Sequence, residues 1–429
     1  MTSDSPRTPL RILLVSNHRR FKINFRAHPW ARELAARGHE VDVMCHANTE
    51  RWRTRIEHTD GFRIIENPDL MVGTLRQGWD PVCALRRWMF LRRENRQYDI
   101  IHCLDTRLAV VWPALAYARR SGIPIVSDWI DWWGRGGLIQ ERRPWWYRRL
   151  FAWIEVFFEE AYRNKLDGLT AISHALVDRA VDLGVPRERC LHIPGGANLG
   201  AFADVPGKRE CRAELGIPVD APVVCFSGLD VLIDLELAIR AFEILMQRDP
   251  RTVLLLVGPT ERDARERVSD ARVLGKIRAL GPIPYGLLSR RLAAADVFLM
   301  PYTNKVSNVG RWPNKVGDYM CVGRPTVSNP IGEVKRLFEQ YDIGALCDET
   351  PEGMAEGAWA YLQNPARSAE VGERARAVAK DVFAWEKLIE PLESFYYDLV
   401  EGRLGALNTA RDSNRVLMDG RVTSAGAPR

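Results

Sequence analysis

Two series of short apolar runs alternate with amphipathic stretches along this chain, and their spacing predicts repeated strand and helix units. In the first series Arg11–Val15, Glu40–Cys45, Ile100–Cys103, Ile125–Ser127 and Leu169–Ile172 read as strands, with a helix over Pro29–Arg37 ending at Gly38. The second opens at Val223–Ser227 and continues through Val253–Val257, Val297–Met300 and Thr326–Ser328. Helices are expected near Leu235–Gln247, Leu287–Ala294 and Asn314–Cys321. Runs that are apolar throughout, separated by helices, belong to parallel sheets covered on both faces, so the fold class is α/β with two doubly wound Rossmann-like domains. A Gly/Pro-rich connector, Ile193–Asn198 and then Val205–Gly207, places the boundary near residue 205, giving domains over 1–205 and 206–384. Trp385–Val400 is amphipathic, and the polar stretch 404–429 is expected to be a loose tail. Ligands of such sheets bind beyond the carboxyl ends of the strands, so function belongs in a cleft between the two domains.

Composition changes this picture little. A chain of 429 residues suits two domains of about 150–200 residues each. The excess of 61 basic over 55 acidic residues leaves a mildly basic surface, suited to phosphate-bearing ligands or anionic membranes, with no specific sign of nucleic acid. The eight cysteines form no C-x-x-C pair, and several lie in apolar runs, so reduced core thiols in a cytoplasmic protein are expected. The N-terminal MTSDSPRTPLRILLVS reads as a polar leader before the first strand rather than a signal peptide, and no segment approaches the roughly 20 apolar residues of a membrane span.

The strongest chemical signal is Asn308–Glu333. Asn308 and Gly310 read as a flexible approach, Pro313 suits a first helical turn, and Gly323 with Pro325 ends the helix before Thr326–Ser328. A helix starting there presents unpaired N–H groups, Asn314 and the basic Arg311 and Lys315 to an anionic ligand. Asp318 and Tyr319 follow one turn later.

This segment resembles the nucleotide-sugar grip of GT-B glycosyltransferases of the GT4-like, group 1 family, whose pattern P-x-K-x-x-E-Y-M-A-x-G-x-P appears here as Pro313, Lys315, Asp318, Tyr319, Met320, Gly323 and Pro325. RELAARGHEVDVM (32–44), YDIIH (98–102), GIPIVSDWIDWW (122–133), DGLTAIS (167–173), IPGGANLGAF (193–202), CFSGLD (225–230), LLLVG (254–258) and GRPTV (323–327) match family landmarks in order. The resemblance implies a GT-B architecture, with an acceptor domain first, a donor domain second and a helix over 385–403 crossing back onto the first. It implies transfer of a sugar from a nucleotide-diphosphate donor to a hydroxyl acceptor, a glycan or lipid-linked molecule, with retention and with neither cofactor nor metal. A catalytically silent partner subunit and a nucleotide-sugar epimerase are the alternatives.

Carried over residue by residue, Gly228 would let the diphosphate approach the backbone. Ile283, with Tyr285, lies in the loop that meets the base, and Asp318 takes the place of a ribose-binding glutamate. Tyr319 belongs to the same donor set. Two departures stand out: the Arg and Lys that usually follow the glycine are replaced by Leu229, Asp230, Ile233 and Asp234, and the first position of the Glu-x7-Glu motif is Gly310. In the first domain, Asp128 and Asp131 flank Trp129 just past a strand and are the candidate catalytic residues, since partly desolvated acids there can orient a sugar or acceptor or, alternatively, fix the loop. His102 reads as structural, because the family's frequently catalytic histidine would fall at Leu104. Arg19, Arg20 and Lys22, in a loop after the first strand, are candidates for a charged acceptor. In Glu141–Tyr162, apolar residues recur at helical spacing, and the second half is expected to pack on the first sheet. The aromatic start is flanked by Arg142, Arg143, Arg148 and Arg149, as in helices that settle on anionic bilayers, so 141–154 is a candidate peripheral contact with the inner face of the cell membrane.

Overall fold

A computed structural model describes residues 7–20, 26–48, 51–76, 78–94, 96–228 and 234–404. Lys22, 229–233 and all but the first residue of the expected tail lie outside them.

The first sheet contains β1 (Arg11–Arg19), β2 (Glu40–His46), β3 (Arg55–Thr59), β4 (Phe62–Asn67), β5 (Ile100–Cys103), β6 (Ile125–Trp129), β7 (Gly168–Ala171) and β8 (Cys190–His192). Its order is β3-β4-β2-β1-β5-β6-β7-β8. The second contains β9 (Val223–Ser227), β10 (Val253–Val257), β11 (Ile277–Ala279), β12 (Val297–Met300), β13 (Thr326–Ser328) and β14 (Gly344–Leu346), in the order β11-β10-β9-β12-β13-β14. Every pairing is parallel except β3 with β4, an edge hairpin. Strand direction of winding reverses between β1 and β5 and between β9 and β12, and a doubly wound sheet opens its binding crevice at such switch points.

Successive β1 residues feed opposite faces, as the period of two requires. Ile12 and Leu14 pack with Trp30, Leu34 and the Trp385–Val400 helix, through Leu388, Ile389, Leu392 and Tyr396. Leu13 and Val15 pack with Val110, Val111 and Ala114 of the Leu108–Ser121 helix. In the second sheet, Val224 and Phe226 meet Leu235, Ile239 and Phe242 on one face, while Cys225 and Phe298 meet Tyr319, Met320 and Val378 on the other. The two halves are joined by chain segments running side by side, with the Ala197 amide donating to the Phe383 carbonyl at 2.7 Å.

Three local expectations need correction. Val306–Gly310 is a short helix with Asn308 buried, not a flexible approach, because Asn308 Nδ2 ties back to the Thr303 carbonyl at 2.7 Å. β1 runs on through Arg19 by a register shift against β2, so Asn17–Arg19 is strand rather than loop. The helix expected over 287–294 is a 3-10 turn, Tyr285–Leu287, followed by Leu288–Leu292. All eight cysteines are free, six of them buried. Among the described residues no helix is long and apolar enough to cross a membrane.

Candidate functional site

Two neighbouring cavities, which share His18, Ile130 and Asp131 in their walls, open at the switch points. One, of about 260 Å³, lies between the domains and is lined by Ile130, Asp131, Gly228, Asp234, Tyr302, Arg311, Trp312, Asn314 and Lys315. The other, of about 470 Å³, lies in the first domain behind β1, β5 and β6. Asp131 and Ile130 line both, so the Asp131 carboxylate stands at their junction.

Arg26 of the first domain also lines the interdomain cavity but is paired with Asp128, so the second domain supplies the cations without an ion pair, among the described residues, that face this cavity. The Lys315–Val322 helix begins at its wall and ends at Gly323, whose φ of +69° is the left-handed stop that glycine favours. Lys315 Nζ sits 4.9 Å from the centre of the Phe226 ring and makes no hydrogen bond or ion pair among the described residues. Burial lowers its pKa to about 8, against an opposing pull from Asp234. Arg311 donates from Nε to Tyr302 Oη at 3.2 Å and packs over that ring, again with no carboxylate within ion-pair distance among the described residues. Gly228 borders the same space, its amide held by the Val257 carbonyl at 2.9 Å.

Asp318 is half-buried and accepts a hydrogen bond from Tyr285 Oη at 3.2 Å. Burial raises its pKa to about 7, with the Tyr285 bond opposing. Tyr319 must be corrected as a ligand contact. It is fully buried, stacks on Phe298 at 3.9 Å, and its hydroxyl accepts from the Ser227 amide, so it supports the end of β9 next to Gly228 from within the core. Ile283 is half-buried against the second-domain core.

Gly310 has a reason that the sequence alone hides. A Cβ at this position would come within 2.7 Å of Trp132 Cβ, and the Gly310 carbonyl accepts from Ser173 Oγ at 2.8 Å. Both partners belong to the first domain, so a side chain at position 310 would run into Trp132 from across the cleft.

Asp128 and Asp131 separate into different roles. Asp128 lies within β6, fully buried, and its two oxygens take Arg26 Nε at 2.6 Å and Nη2 at 2.9 Å, with Thr170 Oγ1 donating at 2.6 Å. Arg26 also donates to the Ile193 and Pro194 carbonyls. Three charge-assisted or hydroxyl hydrogen bonds hold both oxygens of the buried Asp128, so it is corrected from a candidate catalytic acid to a structural clamp. The chain of bonds continues through His102, whose Nε2 meets Thr170 Oγ1 at 3.1 Å and whose Nδ1 meets Tyr396 Oη at 2.7 Å. Because Thr170 gives its proton to Asp128, His102 Nε2 is the donor and Nδ1 accepts from Tyr396. Burial lowers the His102 pKa to about 3, which keeps it neutral. Asp131, by contrast, accepts no hydrogen bond at its carboxylate among the described residues. Burial raises its pKa to about 6, opposed by Arg311, Arg107 and Arg142.

In the first-domain cavity Arg19 lines the wall, whereas Arg20 turns away to pair with Glu57 at 3.4 Å on the edge hairpin, which removes it as an acceptor contact. Trp79, Trp129 and Trp133 provide aromatic walls. Sequence reasoning missed Asn17, Glu155 and Glu159. Among the described residues Asn17 Oδ1 and Glu155 Oε2 are buried acceptors with no partner, the kind of atom that a ligand hydroxyl satisfies. Glu159 accepts from Trp129 Nε1 at 3.0 Å and the Trp133 amide at 3.1 Å, and thereby fixes the loop carrying Asp131. The two glutamates sat unnoticed within an apolar stripe. That stripe is corrected in part: Phe158 and Tyr162 pack on the first-domain core as expected, but the Ala152–Glu160 helix also turns Glu155 and Glu159 inward and leaves Trp153 and Phe157 exposed.

Comparison with known proteins finds the Glycosyl transferase 4-like domain over residues 23–196 and Glycosyl transferases group 1 over 207–378. The chain is 25% identical over 403 residues to D-inositol 3-phosphate glycosyltransferase of Kineococcus radiotolerans, covering 87% of this chain and 89% of that protein. Its fold is similar to that of sucrose-phosphate synthase from Thermosynechococcus elongatus, with a TM-score of 0.69 at 20% identity over 92% of this chain and 100% of that one. It is also similar to Anabaena HepE, solved in complex with UDP and glucose, with a TM-score of 0.65 at 17% identity over 91% and 100% of the two chains.

Proposed function

Because the chain belongs to the GT4-like, group 1 glycosyltransferases, with a GT-B fold, we propose that it moves a sugar from a nucleotide-diphosphate donor to a hydroxyl of a glycan or lipid-linked acceptor. The observation that carries this reading is the pair of cations, Arg311 and Lys315, which face the interdomain cavity beside Gly228 with no carboxylate partner among the described residues. A diphosphate supplies the missing anion. The nucleoside then extends toward Asp318, Tyr285 and Ile283, with Asp318 accepting from ribose hydroxyls. The sugar reaches the junction at Asp131, and the acceptor fills the first-domain cavity beside Arg19.

In the reaction, the bond from the sugar's anomeric carbon to the diphosphate oxygen breaks, and a bond to the acceptor oxygen forms. Negative charge grows on the departing diphosphate, where Lys315 and Arg311 stabilise it in a partly water-excluded site. With retained stereochemistry, the leaving phosphate takes the acceptor proton. Asp131 then orients a hydroxyl of the sugar or acceptor and needs to take no proton. The same two cations do the neutralising without a divalent metal, so turnover is expected to survive EDTA. Segment 141–154 is proposed as a contact with the inner face of the cell membrane, within a glycan or glycolipid pathway.

The test is release of nucleoside diphosphate when the purified chain meets UDP-, GDP-, ADP- and TDP-sugars, with membrane extract as acceptor. Release from one donor class supports an active transferase. Binding of a nucleotide without any release supports a silent partner subunit instead.

A further inference from the structure

The exposed apolar residues of the first domain are unevenly placed. Trp145, Trp146, Leu150, Phe151, Trp153 and Phe157 all present 43–72% of their surface within thirteen positions. They belong to two successive helices, Trp145–Leu150 and Ala152–Glu160, with Phe151 at the joint between them. Isolated exposed apolar residues are ordinary, but a contiguous aromatic group of this size marks a surface that leaves water when its partner arrives. Arg148 and Arg149 are exposed in the same stretch and pair with no carboxylate among the described residues. The nearest acids are turned away: Glu141 accepts from Ser307 across the cleft, and Glu155 and Glu159 face inward. Tryptophan rings beside unpaired arginines fit the boundary of a bilayer, where the rings sit at headgroup level and the guanidinium groups meet lipid phosphate.

We infer that these two helices dock on an anionic lipid bilayer, along the face from Trp145 to Phe157. The patch reaches further along the chain than the sequence pattern marked, and it omits Arg143, which is occupied with Glu155. Its position also bears on substrate entry, and here the inference rests on the acceptor role proposed for the first-domain cavity. The Ala152–Glu160 helix has Trp153 and Phe157 on its outer face and Glu155, Phe158 and Glu159 on the cavity side. One helix thickness therefore separates bilayer from acceptor cavity, and docking brings a membrane-borne acceptor to the wall that Glu155 forms.

The experiment is co-sedimentation of the full chain with phosphatidylcholine vesicles, with and without phosphatidylglycerol, alongside nucleoside diphosphate binding in the same samples. Strong retention on the anionic vesicles is expected. It should fall roughly tenfold or more in Arg148→Glu/Arg149→Glu, since each basic residue near an anionic surface contributes about a fivefold factor. It should fall at least as far in Trp145→Ser/Trp153→Ser, while nucleotide binding stays unchanged in both. Hydrogen exchange should show protection by vesicles confined to 138–160. No retention on anionic vesicles, retention untouched by both variants, or a dimer that Trp145→Ser/Trp153→Ser dissolves would overturn the inference, the last in favour of a second copy as occupant. Loss of nucleotide binding in the parent chain would instead count against the transferase reading and leave the vesicle result to stand by itself.

Discussion

On the first-domain side of the cleft a buried ion pair, Asp128 with Arg26, is closed on itself, whereas on the second-domain side two cations face the cavity with no ion pair among the described residues. Asp128 is enclosed by Arg26 and Thr170, and that clamp reaches the interdomain connector at Ile193 and Pro194. Arg311 and Lys315 have aromatic rings for neighbours and no ion pair among the described residues. Burying charge without a partner costs free energy, so natural folds keep it where a ligand will complete it. The contrast assigns stability to one wall and ligand capture to the other, with Asp131 as the first-domain acid that lines both cavities and accepts no hydrogen bond at its carboxylate among the described residues.

Breaking the closed ion pair should give the largest effect. Asp128→Ala leaves the Arg26 guanidinium buried and uncompensated, which costs about 3–5 kcal/mol and should appear as a fall in the denaturation midpoint. Lys315→Ala removes a partnerless charge and should leave the midpoint near that of the parent. Its turnover should fall roughly a hundred- to a thousandfold, as when one preorganised stabilising group is removed from an active site. Gly310→Glu would restore the carboxylate usual in the family. Here it meets Trp132, so a loss of about a hundredfold in turnover is expected from the displaced domain contact rather than a gain. Asp131→Asn should cost about tenfold in turnover with little change in stability, sharpening its contrast with Asp128.

The pH dependence sharpens the same contrast. Burial raises Asp131 to about 6, so it carries charge only above that pH. Burial lowers Lys315 to about 8, so it carries charge only below that pH. Both shifts disfavour the charged forms, so Asp131 costs stability increasingly as pH rises toward 6, and Lys315 does so as pH falls toward 8. The working charges coexist between these values, and kcat/KM should fall on either side. Lys315→Arg should remove the alkaline limb, because guanidinium stays protonated there.

Much of the fold was legible because buried parallel strands carry dense apolar runs, which mark β1, β2, β5, β9, β10 and β12 without reference to partners. The β3–β4 hairpin escaped because Arg55–Thr59 is a mostly exposed edge strand with polar side chains. At the site, Lys315, Arg311 and Gly228 were legible because one motif and one strand end place them. The difference between Asp128 and Asp131 was not, since the partner that fills Asp128 stands 102 residues away in sequence. Gly310 was visible as a departure, but its cause, Trp132, belongs to the other domain. Glu155 and Glu159 were concealed by the apolar residues around them, of which Phe158 and Tyr162 pack on the first-domain core as expected while Trp153 and Phe157 face outward.

Calorimetric titration of UDP, GDP, ADP and TDP into the parent chain, Lys315→Ala and Asp131→Asn tests the division of roles most directly. One nucleotide should bind the parent, bind Lys315→Ala at least about tenfold more weakly, as expected for a charge-assisted phosphate contact, and bind Asp131→Asn with unchanged affinity. Equal affinity in the parent and Lys315→Ala, or loss of binding in Asp131→Asn alone, would contradict the assignment of diphosphate capture to the second-domain wall.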